Sequence, residues 1–112
     1  MNNEYKNIGH KEAIEPFLYD SQCLIILDPP YLNTNNGYSN NIYVSQQNKE
    51  HENMCEYIYD LFINDSYKCR AILVVNDIFY MRILFNKFIV SSHDINYMAH
   101  AKRKTTHIIC VK

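Results

Sequence analysis

Apolar positions fall along the chain in blocks whose lengths and periods separate strands from helices. The first block is loose: Ala13, Ile14, Phe17 and Leu18 lie on one side of His10 to Tyr19, which predicts a weak helix disturbed by Pro16. Cys23 to Leu27 is a continuous apolar run of strand length, the pattern of a parallel strand covered on both faces. Leu32 to Ser45 has the Asn, Gly and Ser content of a loop. Ser45 is a suitable N-cap for a helix reaching about Ile63, with Met54, Tyr57, Ile58, Leu61 and Phe62 as its buried stripe. Asn64 to Lys68 ends that helix. Arg70 to Val75 is a second apolar strand, and Asp77 can cap a helix from Ile78 to about Lys87. Phe88 to His93 and Thr106 to Val111 read as two further strands joined by a polar connection.

This order predicts an α/β fold with two parallel strands, helices on one face of the sheet and a C-terminal antiparallel hairpin. Parallel strands joined through helices cross over with the same right hand, so both long helices should share a face. The opposite face is then bare, and the edge of Cys23 to Leu27 is open to another chain. Either the N-terminal helix folds back over that face or a second chain covers it, which makes a homodimer or a complementing protein chain the expected partner. A chain of 112 residues, 47% of them hydrophobic, holds one core and one domain. Within it, residues 1–22 form the weak helix and lead-in, 23–31 the first strand and its sequel, 32–45 a loop, and 46–112 the remaining αβα unit and closing hairpin. A loop as long as 32–45 in so small a domain is more often functional than structural.

A formal net charge of −1 argues against a surface built for nonspecific nucleic-acid binding and against an acidic mimic of DNA. Any DNA contact is therefore local. Lys102, Arg103 and Lys104 are the candidate phosphate contacts, although a charged run in a connection is more often simply solvated. Tyr38 and Tyr43 in the long loop have side chains that stack on any base. Cys23, Cys55, Cys69 and Cys110 lie far apart, as free thiols do in buried elements, and no secretory signal precedes them. With no apolar run long enough for a bilayer, no membrane association is expected, and a reducing cytoplasm is. His51 with Cys55, and His107 with Cys110, are spaced too loosely for the usual structural zinc site, so no metal is expected.

Asp28, Pro29, Pro30 and Tyr31 directly follow the first apolar strand. Asp and Pro are ordinary turn residues, and the tetrapeptide alone is compatible with a turn. Its setting resembles the C-terminal half of the Dam-like N6-adenine DNA methyltransferases, over nearly the whole chain. Leu24 to Tyr31 looks like their catalytic strand and motif, and Gly37, Tyr38 and His51 like the mobile loop and the helix after it. Val74, Val75, Asn76 and Asp77 resemble the end of the next strand; Phe88 to Val90, Tyr97, Lys102 to Lys104 and His107 to Val111 resemble the closing hairpin. The resemblance implies a truncated half of a Rossmann-like methyltransferase sheet.

It also implies roles. Asp28 and the Pro29 carbonyl would accept the two N6 hydrogens of an adenine, with Pro30 helping to fix the backbone and Tyr31 stacking on the flipped base. His51 reads as a helix-surface or loop-anchoring residue rather than a general base. The family's cofactor is S-adenosylmethionine, cradled by a glycine-rich turn at the end of an apolar strand. This chain has two glycines, Gly9 and Gly37, and neither ends such a strand. The target-recognition segment is also absent. Three readings follow: the catalytic half of a split enzyme, a non-catalytic binding or inhibitory derivative of phage or mobile-element type, or a fragment inactive alone.

Overall fold

The computed structural model describes residues 4–29, 42–96 and 104–112, with side chains described at 4–29, 49–94 and 106–112. Four strands make one mixed sheet: β1 Leu24–Leu27, β2 Arg70–Asn76, β3 Ile89–Asn96 and β4 Lys104–Val111, in the order β1-β2-β4-β3. β1 and β2 are parallel, and β4 lies antiparallel to both β2 and β3. The helices are α1 His10–Ile14, α2 Ile42–Ile63 and α3 Phe79–Leu84, with short 3-10 turns at Glu15–Phe17 and Asn86–Phe88.

The core lies on one face of the sheet. Ala71, Leu73 and Val75 alternate inward along β2 and meet Ile108 and Cys110 of β4, whose period of two places them on the same side. Over them pack Cys55, Ile58, Leu61 and Phe62 of α2 with Met81 of α3 and Phe85 just beyond it. The α2 stripe matches its helical spacing, with Cys55 deeper than the half-buried Met54 and Tyr57. Edge-to-face contacts join Phe85 to Tyr59 and Phe62, with ring centroids 6.1 and 5.5 Å apart. Lys112 Nζ donates to the Leu61 and Tyr67 carbonyls at 2.6 and 3.2 Å, tying the end of the chain to the last turn of α2 and the segment beyond it.

The opposite face carries Leu24, Ile26, Ile72, Val74, Ile109 and Val111 in register. Leu24 and Ile26 are 52% and 68% exposed. Among the described residues, β1 is thus apolar on both faces but covered on one, and it is an edge strand.

The N-terminal helix does not fold back over that bare face. Ile14 and Leu18 are buried in the same core as α2, the His10 ring sits 5.3 Å from that of Tyr57, and Lys11 Nζ lies 5.5 Å from the Tyr57 ring centroid. The Leu18 carbonyl accepts from the Lys68 and Cys69 N–H groups at 2.7 and 3.1 Å, pinning the segment at the start of β2 on the helix side.

Several element boundaries differ from the sequence reading: α1 stops at Ile14, α3 at Leu84, and β3 runs on to Asn96. α2 begins at Ile42, so the proposed N-cap Ser45 lies inside the helix and the loop 32–45 gives up its last residues; no Gly or Pro separates Ile42 from Ser45 to stop the helix. Lys104 belongs to β4, paired with Asn96, rather than to the connection. α3 begins at Phe79, and its N-cap Ile78 makes no side-chain capping bond.

Asp77 is not that cap because its carboxylate is held by Arg82, whose Nε donates to Oδ1 and whose Nη2 donates to Oδ2 at 2.6 Å. This bidentate hydrogen bonding keeps the Asp77 carboxyl below the usual carboxylate range. A depressed folded-state pKa contributes stability that is complete above the unfolded-state value of about 4 and is lost as pH falls through the folded value. Arg82→Met is therefore expected to lower the thermal midpoint slightly at about pH 6, with the difference closing near about pH 2. Paired melting curves of the two proteins at both pH values check this.

Candidate functional site at the carboxyl rim of the sheet

β1 ends where Pro29 removes a backbone donor, and a residue before proline is held extended, so Asp28 leaves the sheet without curling into a helix. Asp28 is exposed and Pro29 half-buried. Because β1 and β2 are parallel, their carboxyl ends share one rim, the side of an open α/β sheet where ligands bind. Leu27 pairs with Leu73, so Asp28 lies one strand over and two residues below Asn76, roughly 8 Å between Cα positions.

Asn76 closes β2 on the bare face. Its Oδ1 is buried without a hydrogen-bond partner, an acceptor that a donor entering the rim would satisfy. Across β4 it pairs with His107, 7% exposed, and His107 in turn pairs with His93 of β3. Asp28 continues the side of the sheet taken by Leu24 and Ile26, and Asn76 and His107 continue the side of Val74 and Ile109. The rim thus gathers a carboxylate, an amide acceptor and imidazole groups at one end of the face on which Leu24 and Ile26 are exposed. The sequence reading put Asn76 and Asp77 at the end of the second strand but gave them no neighbour in His107; that neighbour exists only through the antiparallel register of β4. Asp77 is engaged by Arg82.

Pro30, Tyr31, Tyr38, Tyr43, Lys102 and Arg103 lie outside the described residues, as does the side chain of Lys104. Asp28 and Pro29 are the parts of the motif that the structure positions.

Of the two loosely spaced His and Cys pairs, one is divided by the sheet. His107 and Cys110 are three residues apart on one strand and point to opposite faces. His51 lies in the wall of a cavity of about 450 Å³ shared with His10, Lys11, Glu50, Asn53 and Met54, and its Nδ1 is buried without a partner. Burial pushes the Cys55 and Cys110 thiols up to about 11, so both are protonated at neutral pH. All four cysteines are free. Among the described residues, no three His, Cys, Asp or Glu side chains gather as metal ligands, and no helix is long and apolar enough to cross a membrane.

No protein-family model matches the chain, and no curated protein matches it.

Of the two glycines, Gly37 lies outside the described residues, and Gly9 can be set against the cofactor that the sequence resemblance implies. A backbone that cradles S-adenosylmethionine uses glycine because a Cβ would collide. A Cβ built at Gly9 meets nothing within 4 Å, and Gly9 precedes the five-residue α1 at φ −64° rather than ending an apolar strand. Gly9 and its surroundings do not fit that cofactor.

Proposed function

We propose that this chain is the catalytic half of a Dam-like N6-adenine DNA methyltransferase, a truncated Rossmann-like sheet that works in the cytoplasm and does not methylate unaided. The observation that carries this reading is the placement of Asp28: exposed, extended by Pro29, and standing at the carboxyl end of β1 beside the unsatisfied acceptor of Asn76.

The chemistry asks for such a group. Adenine N6 is a poor nucleophile because its lone pair is delocalised into the ring. Accepting both N6 hydrogens localises that lone pair; the Asp28 carboxylate takes one and the Pro29 carbonyl the other. The base reaches them only when unstacked from the duplex, and Tyr31 then stacks on its face. These residues orient N6 and polarise it. The rest of the reaction belongs to a complementing chain, since Gly9 offers no cradle for the methyl donor.

A second reading, a methyltransferase-derived binding or inhibitory protein of the kind carried by phages and mobile elements, is favoured by the bare apolar face of the sheet. The two readings part on catalysis. Calorimetric titration of the purified chain with S-adenosylmethionine is expected to give no saturable heat. Co-expression with the donor-site half of a Dam-like enzyme is expected to place N6-methyladenine in the host DNA. Saturable binding by the chain alone contradicts the missing donor site, and absence of N6-methyladenine on co-expression favours the binding protein.

A further inference from the structure

We propose that β1 is an interface between two copies of this chain, paired antiparallel across a two-fold axis through Ile25. The proposal does not depend on the catalytic reading; it rests on the contrast between the two edges of the sheet. β3, the far edge, slips register between Ile89 and Ser91, leaving Val90 out of the pairing, and continues through Ser91, Ser92, His93 and Asp94. A bulge and polar or charged side chains are what native edges use to refuse another strand. β1 has none of these from Leu24 to Leu27.

The backbone groups open to a second strand can be named. The Arg70 N–H donates to the Cys23 carbonyl at 2.9 Å, so odd-numbered residues of β1 face β2 in the regular parallel ladder. The N–H and C=O groups of Leu24 and Ile26 therefore point off the sheet. In an antiparallel pair, outward-facing residues exchange two hydrogen bonds with outward-facing residues. Leu24 then lies opposite Ile26 of the second copy, Ile26 opposite Leu24, and the axis passes through Ile25.

That register is self-complementary. Leu24 and Ile26, exposed in one chain, join their counterparts in a single apolar cluster on the bare face. Asp28 falls opposite Gln22 of the second copy, whose N–H is held by the Asp20 carboxylate at 2.9 Å, so charge disfavours this end of the register and the apolar centre carries it. Four paired residues a side bury less than the roughly 1,200 Å² of a stable specific interface. The dimer is therefore a weak, concentration-dependent one. A different chain seeking the same edge would compete with it.

Analytical ultracentrifugation over a wide concentration range is expected to show a monomer–dimer equilibrium. Ile26→Lys changes an exposed side chain, so circular dichroism should be unaltered while dimerisation weakens at least about tenfold. Leu27→Cys brings a thiol opposite native Cys23 of the second copy in a non-hydrogen-bonded pair, Cα atoms about 4.5 Å apart, within disulfide range. Mild oxidation should cross-link this variant into covalent dimers, and removing Cys23 in the same chain should prevent it. A monomer at every concentration, a dimer indifferent to Ile26→Lys, or no Cys23-dependent cross-link overturns the proposal.

Discussion

Asp28→Ala is expected to abolish methylation in an enzyme reconstituted around this chain while leaving its thermal unfolding unchanged. The side chain is exposed, lies past the end of β1 and belongs to no buried cluster, so its loss creates no cavity and removes no core contact. Its catalytic loss is large for the opposite reason. One of two acceptors aimed at the reacting amino group disappears, and deleting a preorganised partner of a transition state costs about 10²–10³-fold in turnover. Asp28→Asn keeps a side-chain oxygen but loses the charge that sharpens the hydrogen bond, and it should fall between wild type and Ala. Radiolabel transfer from S-adenosylmethionine to adenine in DNA measures all three. Wild-type turnover in Asp28→Ala would remove the catalytic reading and favour the binding protein.

Phe85→Ala should be the most damaging single change to the fold. Phe85 is fully buried and touches Tyr59 and Phe62 edge-on, and Phe62 continues to Phe88 at 5.2 Å, so one ring links α2 to the segment that enters β3. Truncating a buried phenylalanine costs about 3–5 kcal/mol through lost burial and the cavity left behind. Domains of this kind hold about 5–15 kcal/mol in all, so the variant should unfold at a much lower urea concentration or be partly unfolded without denaturant. Phe79→Ala is the control: Phe79 is 80% exposed on α3, and its replacement should move stability by no more than about 0.5 kcal/mol. Equal effects at the two positions would mean that the core is not centred on Phe85.

Much of the architecture was legible in the residues. The apolar runs Cys23 to Leu27 and Arg70 to Val75 are strands within a residue of those bounds, and the stripe on α2 faces the core. The start of α2 was misplaced because Ser45 looks like a cap whether or not the chain is already helical before it. Asp77 misled for a related reason: the same carboxylate suits a cap or an arginine, and Arg82, five residues on, reaches it. Of the candidate site, Asp28 and Pro29 were legible through their position behind a strand. The buried acceptor of Asn76 and the neighbouring His107 were not, since nothing local marks a histidine in the last strand as a neighbour of the second.

The sequence by itself determined which segments are strands and helices, where β1 stops, and that an uncapped acidic residue followed by prolines stands at its end. These are short-range matters of side-chain period, φ restriction and missing donors, and they are decided within a few residues. Only the tertiary structure decided that β4 inserts between β2 and β3, that α1 joins the helix side of the sheet, and that Asp28, Asn76 and His107 lie toward the same end of one sheet face. Strand order and register are set by pairing between distant segments, and a shift of one residue would turn every side chain to the other face. No local pattern carries that information.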